Sequence, residues 1–162
     1  MLAIPAVCLA LPSDAQAIAE LSRDAIEQGL GWSYTRARIL GSIRDEDANV
    51  AVVRESDGLV AFGIMEYGDT RAHLVLLGVQ PTRRRRGLGR HVLLWLEASA
   101  LTAGIERVRV EVRADNPVGI AFYERLGYGV QGYLAGYYGG VIDAVRLEKR
   151  LGIASNGETH SY

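Results

Sequence analysis

The chain has 162 residues and a formal net charge of -1, with 49% hydrophobic and 23% charged residues. This length and composition suit one globular domain, and the near-neutral charge argues against a protein that coats nucleic acid. The single cysteine, Cys8, excludes an internal disulfide, and no Cys or His spacing indicates a metal site. The single cysteine fits a reducing cytoplasm, and no apolar segment has the length of a membrane helix, so we expect a cytoplasmic protein with neither metal nor membrane partner.

The first quarter of the chain predicts one strand and two helices. Residues 2–11 are apolar, but Pro5 interrupts them and no basic residue precedes them, which indicates a strand rather than a signal peptide. Ser13 and Gln16 have the spacing of a capping box, and a helical apolar stripe follows. A second helix is expected at about residues 34–43. Trp32 lies between the two helices, where it could contact a substrate or pack on the core.

Three strands in series follow, at about residues 49–54, 59–67 and 71–79, and predict an antiparallel meander. A helical stripe begins at Leu88. Four consecutive arginines and two glycines lie between the third strand and the first turn of this helix. This segment, residues 83–90, overlaps the start of the helix and is here called the arginine loop. Glycines let backbone N–H groups approach an anion and arginine side chains suit phosphate, so the loop predicts a phosphate site. Its spacing fits neither a Walker loop nor a dinucleotide fingerprint.

A strand with the strictest alternation in the chain is predicted at residues 107–113. Three valines share one face of this strand, while Arg109, Glu111 and Arg113 share the other. One face should therefore be core and the other polar.

The remaining elements complete the prediction of a mixed α/β sheet. A helix begins at Pro117, and two closing strands are expected at residues 129–134 and 141–149, joined by a tyrosine- and glycine-rich loop. The predicted order is β-α-α-β-β-β-α-β-α-β-β. We expect a single domain over residues 1–151 and a flexible tail over residues 152–162.

Two separated motifs carry a resemblance to a known family. They are Arg84-x-x-Gly87-x-Gly89 after a strand, and Asn116-Pro117 followed by Ala121-Phe122-Tyr123-Glu124-Arg125-Leu126-Gly127-Tyr128. With the predicted element order, they resemble the GNAT superfamily of N-acetyltransferases, whose acyl-CoA fold has splayed central parallel strands. Tyr137-Tyr138 and Asp143-Ala144 are similar to the subgroup of protein N-terminal acetyltransferases, which includes the ribosomal-protein alanine N-acetyltransferases.

The resemblance implies that acetyl-CoA is the acetyl donor. Its pyrophosphate is expected on the backbone N–H groups of the arginine loop, and its pantetheine arm beside the backbone of Leu77, Gly78 and Val79. The Val79 N–H would lie near the thioester oxygen. Asn116 is expected to contact the cofactor arm, with a plain helix cap as the alternative. The loop residues implied in cofactor binding are Arg84, Arg85, Arg86, Gly87, Leu88, Gly89 and Arg90.

The resemblance also implies direct attack of an amine on the acetyl thioester. Tyr123 is expected to line the cofactor and to protonate the departing thiolate. Glu111, twelve residues before Tyr123, matches the general base of the alanine N-acetyltransferases, and His73 on the neighbouring strand is the second candidate. Against Glu111, an ion-pair ladder with Arg109 and Arg113 would lower its pKa and make it a poor base.

The tyrosines Tyr133, Tyr137 and Tyr138 are expected to wall the acceptor side, with aromatic packing as the alternative. A protein or peptide N-terminal α-amine is the leading acceptor, and a small amine, an amino acid or an antibiotic is the nearest alternative. Nucleic acid is not an expected partner, although an RNA- or ribosome-binding module that uses the arginine loop is an alternative from another class. A cofactor sensor without catalysis is a third. The sequence does not determine the oligomeric state, and a homodimer is one of the alternatives.

Overall fold

Within the part of the chain that the structure describes, seven strands and four α-helices follow one another in the predicted order. This computed structural model describes residues 5–152, so the start of the first predicted strand and nearly all of the predicted tail (153–162) lie outside the described residues. The strands are β1 (Val7–Leu9), β2 (Ala48–Glu55), β3 (Gly58–Tyr67), β4 (Arg71–Val79), β5 (Arg107–Arg113), β6 (Gly129–Tyr138) and β7 (Ile142–Arg150). The helices are α1 (Ala15–Ala25), α2 (Arg36–Arg44), α3 (Leu88–Thr102) and α4 (Pro117–Arg125).

The strands form one mixed sheet in the order β1-β2-β3-β4-β5-β7-β6. β4 and β5 are parallel, whereas β1 with β2, β2 with β3, β5 with β7 and β6 with β7 are antiparallel. The mixed α/β class predicted from the sequence is therefore confirmed. In the part of the chain that the structure describes, none of the helices has the length and hydropathy that a membrane span requires.

The chain divides into two compact units, residues 5–66 with 75–96 and residues 67–74 with 97–152. The single-domain organisation expected from the sequence remains a prediction. In the first unit, the apolar stripe of α1 packs with α2 on the face of the β2–β3 hairpin. The largest fully buried members of this core are Ile18, Ile39, Val52, Phe62 and Ile64.

Gly63 shows why α3 lies close against β3 in the first unit. A Cβ at this position would lie 2.8 Å from Leu96 and 2.9 Å from Val92, so only a glycine lets the two elements approach this far. The close approach fixes the first turns of α3, and with them the end of the arginine loop.

In the second unit, β5 has one buried face and one polar face, as its alternation predicts. Val108, Val110 and Val112 are buried, and the polar residues between them face the other side. The parallel ladder to β4 runs from Arg71↔Arg107 to Leu74↔Val110. Splaying of the two strands beyond this ladder stays a prediction.

Two local predictions were wrong. Ser13 does not cap α1, because it lies in a short 3-10 helix, and the backbone N–H of Leu11 donates instead to Asp14 Oδ2 at 2.7 Å. The predicted tyrosine- and glycine-rich loop is mostly strand, since β6 continues to Tyr138 rather than ending at Leu134. Aromatic residues favour a pleated surface, and an irregular register between Leu134 and Tyr138 accommodates the glycine there.

Candidate active site

The arginine loop connects β4 to α3 in the first unit. A 3-10 turn follows β4, and the backbone of Arg85 (φ 64°) and Gly87 (φ 77°) is left-handed, which turns the chain sharply before α3. The His91 N–H donates to the Gly87 carbonyl at 2.9 Å and closes the first helical turn. The three residues before His91 therefore have N–H groups with no partner inside the helix. This is the backbone arrangement that binds anions at helix N-termini.

The β2–β3 hairpin holds two of the four consecutive arginines. Arg83 donates to Glu55 Oε1 at 2.7 Å and to Asp57, and Arg86 donates to both Glu55 oxygens at 2.8 and 3.1 Å. The hydrogen bonds from Arg86 and Arg83 lower the pKa of Glu55. The two arginines between them are exposed. Thus Arg83 and Arg86 fix the loop through their side chains, while the exposed pair points to solvent.

The last three residues of β4, predicted to lie beside the cofactor, include a glycine with a packing role. A Cβ at Gly78 would lie 2.7 Å from a ring carbon of Phe62 and 3.2 Å from Ile26. The Gln80 N–H then ties the end of the strand to the Val60 carbonyl at 2.9 Å. The need for a glycine here follows from the core, and the predicted cofactor contact stays a prediction.

Trp32 lies on a firmly held loop of the first unit and is 41% exposed, so it is not a core residue. Its ring centre lies 5.3 Å from the Arg23 guanidinium carbon, within reach of a cation–π contact. The buried Glu27 accepts from the Ser33 N–H and hydroxyl, both at 2.8 Å, and from the Ser22 hydroxyl at 3.1 Å. This network, which sequence reasoning missed, keeps the loop around Trp32 in place.

In the second unit, Glu111 lies at the centre of a polar cluster and its side chain is 3% exposed. His73 Nε2 lies 2.5 Å from Glu111 Oε1, and the Tyr137 hydroxyl donates to the same oxygen at 3.2 Å. Arg146 Nε donates to Glu111 Oε2 at 3.0 Å, and Arg109 Nε lies 3.2 Å from it. The two residues predicted as rival bases are therefore hydrogen-bonded to each other.

The charges around Glu111 determine its protonation state. Burial favours the neutral acid, but the hydrogen bond and charge of His73, with Arg146 and Arg109, outweigh it and lower the pKa of Glu111 to about 2. Of the two ladder partners predicted for Glu111, Arg109 lies beside its carboxylate, and Arg113 pairs with Asp115 through two 3.0 Å hydrogen bonds. The carboxylate is thus ionised at neutral pH and a weak proton acceptor.

Tyr123 lies on α4, buried, with its ring packed edge-on against Phe122 and Tyr128 at 5.0 and 5.5 Å between ring centres. Burial raises the pKa of Tyr123, so the phenol keeps its proton at neutral pH. Asn116 caps the same helix, since its Oδ1 accepts from the Gly119 N–H at 3.0 Å. The cap expected as the plain alternative for Asn116 is present, and its cofactor contact stays a prediction.

The three tyrosines of β6 have different environments. Tyr133 is 75% exposed, Tyr137 is 45% exposed and bonded to Glu111, and the Tyr138 hydroxyl donates to the Glu111 carbonyl at 3.0 Å. Tyr137 and Tyr138 also pack edge-on, with ring centres 4.9 Å apart. Two of the three therefore belong to the Glu111 cluster, and Tyr133 is left as an exposed aromatic.

Residues 15–128, more than half of the chain, match the model of the acetyltransferase (GNAT) family. The chain belongs to this family. Its predicted enzyme class, an acyltransferase acting on amino groups, is that of the family, and GNAT acetyltransferases use acetyl-CoA as the donor. The resemblance stated from the two sequence motifs is confirmed.

Named relatives extend the comparison. The [ribosomal protein bS18]-alanine N-acetyltransferase of Salmonella typhimurium is 38% identical over 82 residues, 51% of this chain and 55% of that protein, so the match spans about half of the relative. The crystal structure of the ribosomal-protein-S18-alanine N-acetyltransferase from Escherichia coli has a TM-score of 0.78 at 26% identity, covering 90% of this chain and 93% of that one. Ard1 from Thermoplasma volcanium has a TM-score of 0.77 at 26% identity, covering 90% and 96%.

Proposed function

We propose that this protein transfers the acetyl group of acetyl-CoA to the N-terminal α-amine of a protein or peptide. The observation that carries the proposal is the hydrogen bond between His73 and Glu111, together with the buried Tyr123 twelve residues after Glu111. It supplies a proton acceptor and a proton donor, which amine acetylation needs. The similarity to two S18-alanine N-acetyltransferases supports an α-amine as the acceptor.

The arginine loop is proposed to hold the phosphates of the donor, which brings an activated acetyl thioester. The N–H groups of the first turn of α3, which have no partner inside the helix, and the exposed side chains of Arg84 and Arg85 fit an anion. The Val79 N–H is proposed to donate to the thioester oxygen, and Asn116 to contact the cofactor arm. Arg86 acts through its backbone, because its side chain is bonded to Glu55.

His73 is proposed as the group that takes the amine proton, with Glu111 as its positioning residue. A carboxylate with a pKa of about 2 is far too weak a base for an ammonium group. The same carboxylate, bonded to His73 Nε2, favours the tautomer with its proton on Nε2 and leaves Nδ1 free to accept. This assignment reverses the ranking predicted from the sequence, in which Glu111 was the first candidate for the base and His73 the second.

Tyr123 is proposed to protonate the leaving sulfur. One proton of the ammonium goes to His73, the amine nitrogen bonds the acetyl carbon as the carbon–sulfur bond breaks, and the sulfur takes the phenol proton. The second amine proton then restores Tyr123 through solvent. The raised pKa of Tyr123 supports this role, since the phenol arrives protonated.

The RNA-binding alternative loses support from the arginine loop. Two of its four consecutive arginines are neutralised by the hairpin carboxylates of Glu55 and Asp57. The charge available to a phosphate chain is therefore smaller than the sequence suggests.

Release of the free thiol of coenzyme A, measured with three acceptor classes, tests the proposal. The acceptors are an alanine-starting peptide, the same peptide with a formylated α-amine, and a polyamine at equal concentration. We expect turnover with the free peptide alone. Turnover with the polyamine and none with the peptide would replace the α-amine by a small-amine acceptor.

A further inference from the structure

An arginine-rich face runs across three adjacent strands of the second unit. In the β4–β5 and β5–β7 registers, Arg71 lies beside Arg107 and Arg107 beside Arg150, while His73 lies beside Arg109 and Arg109 beside Glu148. Residues two apart on a strand share a face, so this face carries six arginines and only two glutamates. The arginines of this face are Arg71, Arg107, Arg109, Arg113, Arg146 and Arg150.

Each glutamate of the arginine-rich face serves two arginines and Asp115 serves Arg113, so these three carboxylates leave positive charge over among the six arginines. Glu148 lies 3.7 Å from Arg71 and 3.6 Å from Arg107, and Glu111 is shared in the same way within its own cluster. The Glu148 distances are those of ion pairs without a hydrogen bond. The side chains of Arg71 and Arg107 are 52% and 49% exposed. Their guanidinium groups can therefore bind an incoming carboxylate.

We propose that the arginine-rich face selects acceptors with an acidic side chain within the first few residues after the α-amine. The inference rests on the proposed function, because it takes His73 and Glu111 as the place of the amine. Arg107 lies four residues from Glu111 along β5, a span of about 13 Å, or about four residues of an extended peptide. An acidic side chain near position 3 or 4 of such a peptide would lie opposite Arg71 and Arg107.

The face suits a peptide carboxylate better than a phosphate chain. Its two glutamates, Glu111 and Glu148, lie among the arginines, and closely spaced phosphates would meet them. A single carboxylate can bind the exposed guanidinium groups of Arg71 and Arg107 from the solvent side, since their shared partner Glu148 is 14% exposed and lies beyond hydrogen-bond distance of both. RNA is therefore the alternative occupant that the test must distinguish.

A panel of matched peptides tests the inference. Each peptide begins with alanine and carries Glu, Gln or Lys at position 2, 3 or 4, and kcat/KM is measured at low and high salt. At one position or more we expect Glu to exceed Gln on the order of tenfold, with Lys lower still, and the ratio to fall with salt. Equal kcat/KM for the three peptides at every position would overturn the inference and leave the proposed function standing.

Charge variants assign the preference to this face. Arg107→Glu should reverse the order so that the Lys peptide is favoured, and Arg107→Gln, the milder variant, should only reduce the ratio of Glu to Gln. Arg125→Gln removes the same charge from the exposed end of α4 and should leave the ratio unchanged. A reduced ratio in the Arg125 variant equal to that of Arg107→Gln would mean that net charge, not this face, sets the preference, and would overturn the inference.

Two further outcomes distinguish a failure of the proposed function from a failure of the inference about acidic acceptors. If no peptide is acetylated while a small amine is, the proposed function fails. Fluorescence anisotropy of labelled Glu and Lys peptides then tests the face directly, and equal binding overturns the inference. If an RNA oligomer binds, Arg107→Glu abolishes its binding, and the peptides show no charge preference, the face is an RNA site and the inference is wrong.

Discussion

The charges around Glu111 make it a poor general base and suit it to orienting His73. The resemblance implies a general base at this position, yet His73, Arg146 and Arg109 hold the carboxylate ionised with a pKa of about 2. An ionised, buried carboxylate bonded to an imidazole orients the ring and fixes which ring nitrogen carries the proton. Proton acceptance at the amine therefore falls to His73 in our account.

Replacing His73 by alanine should lower kcat on the order of a hundredfold or more, the usual range for a general base. Because the His73 side chain is 26% exposed, added imidazole should reach the space left behind and restore part of the rate. Glu111→Gln should also lower kcat, but imidazole should not restore it. Rate measurements with and without imidazole check this, and rescue of the Glu111 variant would contradict the assignment.

Tyr123→Phe should lower kcat on the order of a hundredfold, since the leaving thiolate would lose its proton donor. The ring packing against Phe122 and Tyr128 would be kept, so acetyl-CoA affinity and thermal stability should stay nearly unchanged. Calorimetric titration with acetyl-CoA and steady-state rates separate the two effects. An unchanged kcat would exclude Tyr123 as the acid.

At the residue scale, the sequence predicts Glu111, His73 and Tyr123 through motif and alternation. It does not predict that Arg146 bonds Glu111, because that contact depends on the β5–β7 register, which pairs residues 35 positions apart. The alternation of polar residues along β7 was the sequence signal that could have placed Arg146 on the same face as Glu111. Glu27 was missed because nothing in its local pattern marks a buried carboxylate.

At the scale of the element, the arginine loop depends on two left-handed residues. No atom lies within 4 Å of a Cβ built on Gly87, so Gly87→Ala would meet no clash and only the strain of φ 77°. We expect it to lower the free energy of unfolding by about 1 kcal/mol and to weaken acetyl-CoA binding. Chemical denaturation and calorimetric titration measure the two effects.

Gly41→Ala is the matched control for Gly87→Ala. Gly41 lies inside α2, and a Cβ there also meets no atom within 4 Å, but its φ is not positive. The same substitution should therefore raise the free energy of unfolding by about 0.5–1 kcal/mol. Equal effects of the two substitutions would show that backbone conformation does not distinguish the loop.

Element boundaries were predictable where hydrophobic periodicity and turn residues agree. β4 and β5 have the predicted bounds, because β4 is an apolar run that Pro81 ends and β5 alternates strictly after Gly104. The end of β6 was not predictable in this way, since its glycines indicate a loop while its tyrosines favour strand. Side-chain contacts of Tyr137 and Tyr138 with β5 decide in favour of strand.

At the scale of the whole molecule, the Glu111 cluster should make stability depend on acid pH. Its folded pKa of about 2 lies below the unfolded value of about 4.3, so the stabilisation is complete above about pH 5 and is lost as pH falls through 2. The free-energy difference of unfolding between wild type and Glu111→Gln should shrink by about 1–3 kcal/mol over that window. Urea denaturation at pH 6 and pH 2.5 measures it, and a constant difference would contradict the ionised cluster.

The charge of the whole chain hides its local distribution. A formal net charge of -1 coexists with six arginines on one face of three strands and four consecutive arginines in one loop. The sequence shows the second cluster directly, because its members are adjacent. The first becomes visible only through strand order and register, so the proposed preference for acidic acceptors could not be predicted from the sequence.

The most direct test of the account is the position of the acetyl group in the product. A peptide with a free N-terminal alanine and an internal lysine is incubated with the protein and acetyl-CoA, and tandem mass spectrometry locates the modified nitrogen. We predict acetylation at the α-amine, and its near loss with the His73→Ala variant. Acetyl groups found on the lysine side chain with the α-amine left free would contradict the central claim.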